Sequence, residues 1–260
     1  MLIFSHVSLI RDGRTVLSGI DATALPHGLI ALLGPNGAGK SSLLAVAAGE
    51  LAPAGGECEF DQLPLARTHA NTLARRRALL PQQSSLEFDF SVREVVRLGG
   101  TPFPDIPGHE LEGLIDSVLQ LTDAESLTER RYLNLSGGER QRVQLARVLV
   151  QACAAAAQGP ALLLLDEPTA SLDPRHQHML LAGLRELARK LPITVLASLH
   201  DVNLALTYAE QSWLLYEGRL VAAGKSVDVL TPERLAAVFQ LPVRRVEDQL
   251  VFGLARGPLA

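Results

Sequence analysis

Gly34-Pro35-Asn36-Gly37-Ala38-Gly39-Lys40-Ser41 is the stretch on which the reading of this 260-residue chain turns. It follows a short apolar run, residues 29–33, and opens a helix-like segment, Ser42-Leu43-Leu44-Ala45-Val46-Ala47. Strand, glycine-rich turn and helix in that order are the setting a phosphate-binding loop requires. Glycines let successive backbone N–H groups converge on one point, and the helix start adds its own unpaired donors. Residues Gly34, Pro35, Asn36, Gly37, Ala38, Gly39, Lys40, Ser41 and Ser42 therefore form the expected cradle. Lys40 is placed to reach β- and γ-phosphate oxygens, and the Ser41 hydroxyl to ligate Mg²⁺. The competing reading is a glycine-rich connector with an accidental Gly-Lys-Ser, and the flanking strand and helix weigh against it.

Composition narrows the class. With 47% hydrophobic and 20% charged residues the chain is long enough for a well-buried core. A net charge of -4 argues against a dedicated nucleic-acid binder, which would carry a basic footprint. Cys58 and Cys153 lie far apart without metal-ligand spacing, so two ordinary thiols in a reducing compartment are expected. No apolar run approaches the ~20 residues needed to cross a bilayer. Met1-Leu2-Ile3-Phe4 lacks the basic start of a signal peptide. A soluble, cytoplasmic protein follows, held by something else if it works at a membrane.

Along the chain, residues 2–25 alternate imperfectly around Asp12-Gly13 and read as an antiparallel hairpin. Residues 28–33 are a nearly all-apolar strand of the kind buried on both faces. Residues 58–60 suggest a further short strand, and Arg75-Arg76-Arg77 reads as a solvated helix end rather than a phosphate or partner contact. An apolar strand, residues 78–80, stops at Pro81-Gln82-Gln83. Ser91-Val92-Arg93-Glu94 is a capping box, and residues 109–121 are amphipathic. Residues 84–135 thus read as an α-helical insertion, with 1–83 and 136–260 forming an α/β core. Ser136-Gly137-Gly138-Glu139 opens a long helix, residues 161–165 and 193–199 are further buried strands, and Asp173-Pro174 starts a helix with Asp as cap. Hairpins are expected at residues 213–223 and 243–252, with a helix from Thr231-Pro232 between them. Strands separated by helices predict a doubly wound, mostly parallel sheet with its site at the C-terminal edge.

Polar residues stand at those strand ends. Asp166 follows four leucines, where a Mg²⁺ ligand belongs; buried without a cation it would be costly. Glu167 is placed to polarise a water for in-line attack on a γ-phosphate, against the plainer reading of a surface carboxylate. Gln82 can touch both the metal and that water, although glutamine in a loop is common. His200 ends the third buried strand and is expected on the γ-phosphate. His176 and His178 are two apart on a helix and share no face, so they do not read as a metal site.

At this point Leu135-Ser136-Gly137-Gly138-Glu139 with Arg140-Gln141-Arg142 resembles the signature motif of ABC ATPases. Together with the Walker A loop, the Walker B strand ending in Asp166, Gln82, Ser171-Leu172-Asp173 as D-loop and His200, the resemblance covers essentially the whole chain. It implies a homodimer with two ATP molecules sandwiched head to tail. Ser136, Gly137 and Gly138 would then contact the γ-phosphate held by the partner's Lys40, with Asp173 close by. It also implies ATP and Mg²⁺ as cofactors, Mg²⁺ being held by Ser41, Gln82 and Asp166, and Glu167, His200 and Gln82 as the catalytic set. One element departs: residues 9–14 lack the aromatic on which such proteins stack adenine, leaving Arg11 as a substitute.

A single nucleotide-binding domain resembles the separate ATPase subunit of a bacterial importer. That implies two copies of an integral-membrane permease, a periplasmic substrate-binding protein acting indirectly, no nucleic acid, and a peripheral position on the cytoplasmic face of the inner membrane. Within that class the chain is most like the subunits that import metal chelates, with the heme branch ahead of ferric siderophores and cobalamin. The grounds are Leu80-Pro81-Gln82-Gln83-Ser84-Ser85-Leu86, the run at residues 141–149 and the Ala-rich spacer at 151–159. Residues 84–90 would receive the permease's cytoplasmic helix. The rival of another class is a soluble ABC ATPase of Fe–S cluster assembly, which would not fractionate with membranes. A small-molecule kinase has no use for a second anion site at Ser136.

Overall fold

The computed structural model describes residues 1–82 and 89–253. In chain order these carry β1 (Leu2–Arg11), β2 (Arg14–Ala24), β3 (Gly28–Leu33), α1 (Lys40–Ala47), β4 (Gly55–Phe60), β5 (Leu63–Pro64), α2 (Ala70–Ala74) and β6 (Arg77–Leu80). Three helices follow, α3 (Val92–Arg97), α4 (Gly108–Leu121) and α5 (Gly137–Ala156). The remainder is β7 (Ala161–Leu165), α6 (Pro174–Lys190), β8 (Ile193–Ser198), α7 (Val202–Tyr208), β9 (Gln211–Tyr216), β10 (Arg219–Lys225), α8 (Ser226–Val229), α9 (Pro232–Phe239), β11 (Val243–Val246) and β12 (Gln249–Phe252).

Two sheets form the body. β10-β9-β3-β8-β7-β6 is parallel except for β10, and β2-β1-β4-β5 is antiparallel. The expected mostly parallel sheet, N-terminal antiparallel sheet and helical region are all present. The period-2 geometry of strands explains why the central runs are apolar throughout. Leu29, Ala31 and Leu33 of β3 face the layer containing α5 and α6, while Ile30 and Leu32 face α1 and the antiparallel sheet. Leu162 and Leu164 of β7 share that second face, opposite Leu163 and Leu165. Phe4 of β1 meets Trp213 of β9 edge-on at 5.7 Å, joining the two sheets.

Local chemistry sets the boundaries. The β1–β2 turn places Asp12 and Gly13 at φ of 50° and 73°, the left-handed pair that a two-residue hairpin needs. The capping box read at Ser91/Glu94 forms, and the helix opened by Ser136 turns out to start with a second one, Ser136/Glu139. The basic triplet is not a solvated helix end. Arg75 caps α2 and ion-pairs with Asp105, Arg76 ion-pairs with Asp61, and Arg77 begins β6 half-buried. Cys58 is buried and Cys153 half-buried, both unpaired, and burial pushes the Cys153 thiol up to about 11. Among the described residues no helix is long and apolar enough to cross a membrane. Residues 83–88, most of the expected permease-contact stretch, lie outside the described residues.

Candidate functional site

The glycine-rich turn is fixed by contacts that exclude side chains. Gly34 leaves β3 at φ +149°, and a Cβ there would fall 2.2 Å from the Leu215 carbonyl oxygen. Gly39 stands at φ +101° with the Leu17 side chain 2.8 Å from its would-be Cβ. Only glycine satisfies both the backbone angle and the close approach. The turn therefore packs tightly on β9 and β2 and delivers Lys40 into the first position of α1. The Lys40 ammonium curls back, donating to the carbonyls of Gly34 at 2.8 Å and Pro35 at 3.0 Å. Burial lowers its pKa below the ordinary lysine value, opposed by the negative charges of Glu167 and Asp166.

Parallel pairing builds the opposite wall. Leu165 of β7 lies in register with Ala197 of β8, which sets Asp166 beside Ser198. The Ser198 hydroxyl donates to Asp166 Oδ1 at 2.6 Å and accepts from the Glu167 N–H at 2.8 Å. One buried hydroxyl thus orients both acidic residues. Asp166 N–H donates to the Leu80 carbonyl at 2.9 Å, tying the end of β6, and so Gln82, to the same edge. Glu167 adopts φ 52°, a left-handed conformation that costs a non-glycine residue ~1 kcal/mol or more. Its carboxylate meets His200, whose Nε2 lies 2.7 Å from Glu167 Oε1.

A cleft of about 420 Å³ results. It is lined by Asn36, Gly37, Gly39, Lys40, Ser41 and Ser42 from the turn and α1, and by Gln82, Glu167 and His200 from the strand ends. Asp166 sits just behind that lining, buried. The arrangement can take a polyanion along the turn, hold a hard cation with hydroxyl, amide and carboxylate oxygens, and present a carboxylate to water. Val16 also lines the cleft and was not foreseen; a valine in a hairpin strand carries no signature of a wall residue. Ser198 was missed as well, and its one signal is a polar residue closing the apolar run Val195-Leu196-Ala197. Arg11, expected in place of the stacking aromatic, is exposed at the end of β1 and does not line the cleft.

Ser136, Gly137, Gly138 and Asp173 do not line this cleft. Ser136 caps α5, and its own N–H donates to Glu139 Oε2 at 2.7 Å. That bond and the Ser136 side chain hold the Glu139 carboxyl below the usual range. Asp173 caps α6, accepting the His176 N–H at 3.0 Å. The two groups meet through the chain between them. A Cβ on Gly138 would come 2.9 Å from the Ser171 carbonyl oxygen, so the α5 N-terminus abuts the segment that leaves Glu167.

Comparison with known proteins gives consistent results. The family model described as ABC transporter matches residues 17–170. The hemin import ATP-binding protein HmuV of Bordetella parapertussis is 46% identical over 235 residues, 90% of each chain. Its namesake from Pseudomonas aeruginosa is 44% identical over 243 residues, 94% of each. Among solved structures, cbiO1 of Clostridium perfringens, part of the ABC transporter complex cbiONQ, aligns with a TM-score of 0.76 at 29% identity, covering 91% of this chain and 92% of that one. A metal-chelate type ABC transporter in an inward-facing conformation aligns with a TM-score of 0.75 at 26% identity, covering 96% and 95%.

Proposed function

The chain belongs to the ABC transporter family as an ATPase subunit whose ATP hydrolysis is coupled to transport through membrane subunits, and we propose that it drives import of heme (hemin). Two copies face each other head to tail on the cytoplasmic side of the inner membrane, under two permease subunits fed by a periplasmic binding protein. Residues 84–135 act as the helical subdomain, and within them residues 84–90 receive the permease. A polar cleft within that subdomain, lined by Ser91, Arg93, Glu94, Arg97, Glu129 and Arg131, offers the permease a docking surface.

The observation that carries the hydrolytic half is the Glu167–His200 pair, 2.7 Å apart, in the same cleft as Lys40. Gly34 through Ser42 cradle the phosphates by backbone N–H groups, and Lys40 exchanges its carbonyl partners for phosphate oxygens. Glu167 takes the proton of the attacking water, and His200 turns from Glu167 to the γ-phosphate. Gln82 positions that water. Ser41, Gln82 and Asp166 supply the oxygen donors a hard dication prefers and would hold Mg²⁺, which neutralises charge on the β- and γ-phosphates when bound. Ser136, Gly137, Gly138 and Asp173 serve the nucleotide of the opposite copy, in keeping with their position outside this chain's own cleft.

The cargo rests on the relatives' names, since the ATPase never touches what is moved. Proteoliposomes with the assembled transporter, loaded with Mg-ATP and offered heme on the binding protein, test it. ATP-dependent heme accumulation is the expected result. Uptake of a ferric siderophore or cobalamin instead of heme overturns the cargo and leaves the metal-chelate class, for which the inward-facing structural relative speaks.

A further inference from the structure

His176 sits one turn into α6, with only 18% of its side chain exposed, among groups from three other segments. Its Nδ1 donates to Asp173 Oδ2 at 2.7 Å. Its Nε2 lies 2.6 Å from Arg142 Nη1 on α5 and 2.9 Å from Oδ2 of Asp123, just beyond the end of α4. Arg142 Nη1 also reaches Asp123 Oδ2 at 3.4 Å. A neutral ring accepts from Arg142, which donates on to Asp123; a protonated ring donates to Asp123 directly. Either way Asp173 is connected through the imidazole to α4 and α5.

From this geometry we infer that His176 is a positioning residue for hydrolysis, bracing residues 169–173 against the helical region so that Glu167 keeps its place. The inference rests on the reading of Glu167 as the base. Residues 167–173 behave mechanically as one piece. Ala170 N–H donates to the Glu167 carbonyl at 3.2 Å, and Leu172 N–H to the Thr169 carbonyl at 3.2 Å. Gln177, next to His176, donates its amide to the carbonyls of both Thr169 and Leu172 at 3.1 Å. A shift at Asp173 is therefore handed to the backbone that sets the left-handed turn at Glu167. The Ser171 carbonyl, held in the same piece, presses on Gly138.

Fold stability alone does not account for the cluster. The α6 cap needs only the His176 backbone N–H, which Asp173 already accepts. Asp123 and Asp173 are about half exposed, where ion pairs contribute little to stability. What the ring contacts do fix is the relative placement of α4, α5 and the segment leaving Glu167.

The test is steady-state ATP hydrolysis by the full-length chain assembled with its membrane subunits. His176→Ala should lower kcat roughly tenfold or more with KM for ATP changed less than about twofold, as for a misplaced catalytic group. Asp123→Ala should lower kcat comparably and add nothing when combined with His176→Ala, the sign of one shared connection. His176→Asn, which keeps a donor toward Asp173 and loses the reach to Asp123, should recover little. A His176→Ala kcat within about twofold of the unmodified chain, whatever its melting temperature, overturns the brace. So do strictly multiplicative losses in the double variant. Full turnover by Glu167→Gln would remove the base assignment and the inference with it, whereas loss in Glu167→Gln beside a normal His176→Ala rate removes the brace alone.

Discussion

Glu167→Gln is the change that isolates the proposed chemistry from the fold. Glutamine has the same size, tolerates the same left-handed backbone at φ 52° equally, and keeps an oxygen near His200 Nε2, now 2.7 Å from the carboxylate. It cannot take a proton. Losing a positioned general base costs ~10²–10⁴ in rate, or about 3–5 kcal/mol of barrier. Stability should change by less than ~1 kcal/mol, because the charge removed is one of two carboxylates acting on Lys40, and Asp166 remains. ATP should bind as well or better, since the incoming polyanion meets one negative charge fewer. The assay pairs phosphate release by the assembled transporter with equilibrium binding of ATP, and a thermal melt as the control. Turnover within about threefold of the unmodified chain, with binding intact, would refute Glu167 as the base.

Gly34→Ala should destabilise the chain by several kcal/mol or prevent folding, because its Cβ would lie 2.2 Å from the Leu215 carbonyl at a φ of +149°; chemical denaturation measures it. Ser198→Ala removes the hydroxyl that serves both Asp166 and Glu167, so a stability loss of ~1–3 kcal/mol and a fall in kcat should appear together. Lys40→Met should abolish ATP binding yet leave the nucleotide-free fold intact. The folded-state pKa of Lys40 is depressed, so between it and 10.5 the unfolded chain binds more protons and stability rises with pH. Urea melts across that window should show this rise in the unmodified chain and a smaller one in Lys40→Met.

What could be read from sequence was whatever depends on neighbours in the chain. The glycine turn, the apolar strand runs, the capping box at Ser91/Glu94 and the helix start at Ser136 are each written within a few neighbouring residues, and each of them formed. What escaped depends on register. Ser198 matters because β7 and β8 align Leu165 with Ala197, a pairing 32 residues apart that no local pattern announces. The arginine triplet misled for a related reason. A helix ends and a strand begins within three residues, so Arg75, Arg76 and Arg77 diverge to separate surroundings instead of sharing one solvated face. His176 looked idle because only its i−3 relation to Asp173 is visible in the chain, while Asp123 and Arg142 arrive from other helices.

The placement of Ser136 has a consequence for coupling. Its helix N-terminus stands outside the chain's own cleft, yet Gly138 touches Ser171 in a segment hydrogen-bonded to Glu167. In the proposed head-to-tail pair, nucleotide of the opposite copy draws on Ser136, Gly137 and Gly138. Any displacement of α5 toward that nucleotide would therefore act on residues 169–173, and through them on the left-handed turn at Glu167, the proposed base. A backbone conformation that already costs energy responds to small forces. The two pockets would then be linked by one short hydrogen-bonded piece of chain rather than by the whole sheet, whose fully buried strands β3, β7 and β8 are packed too closely to shift.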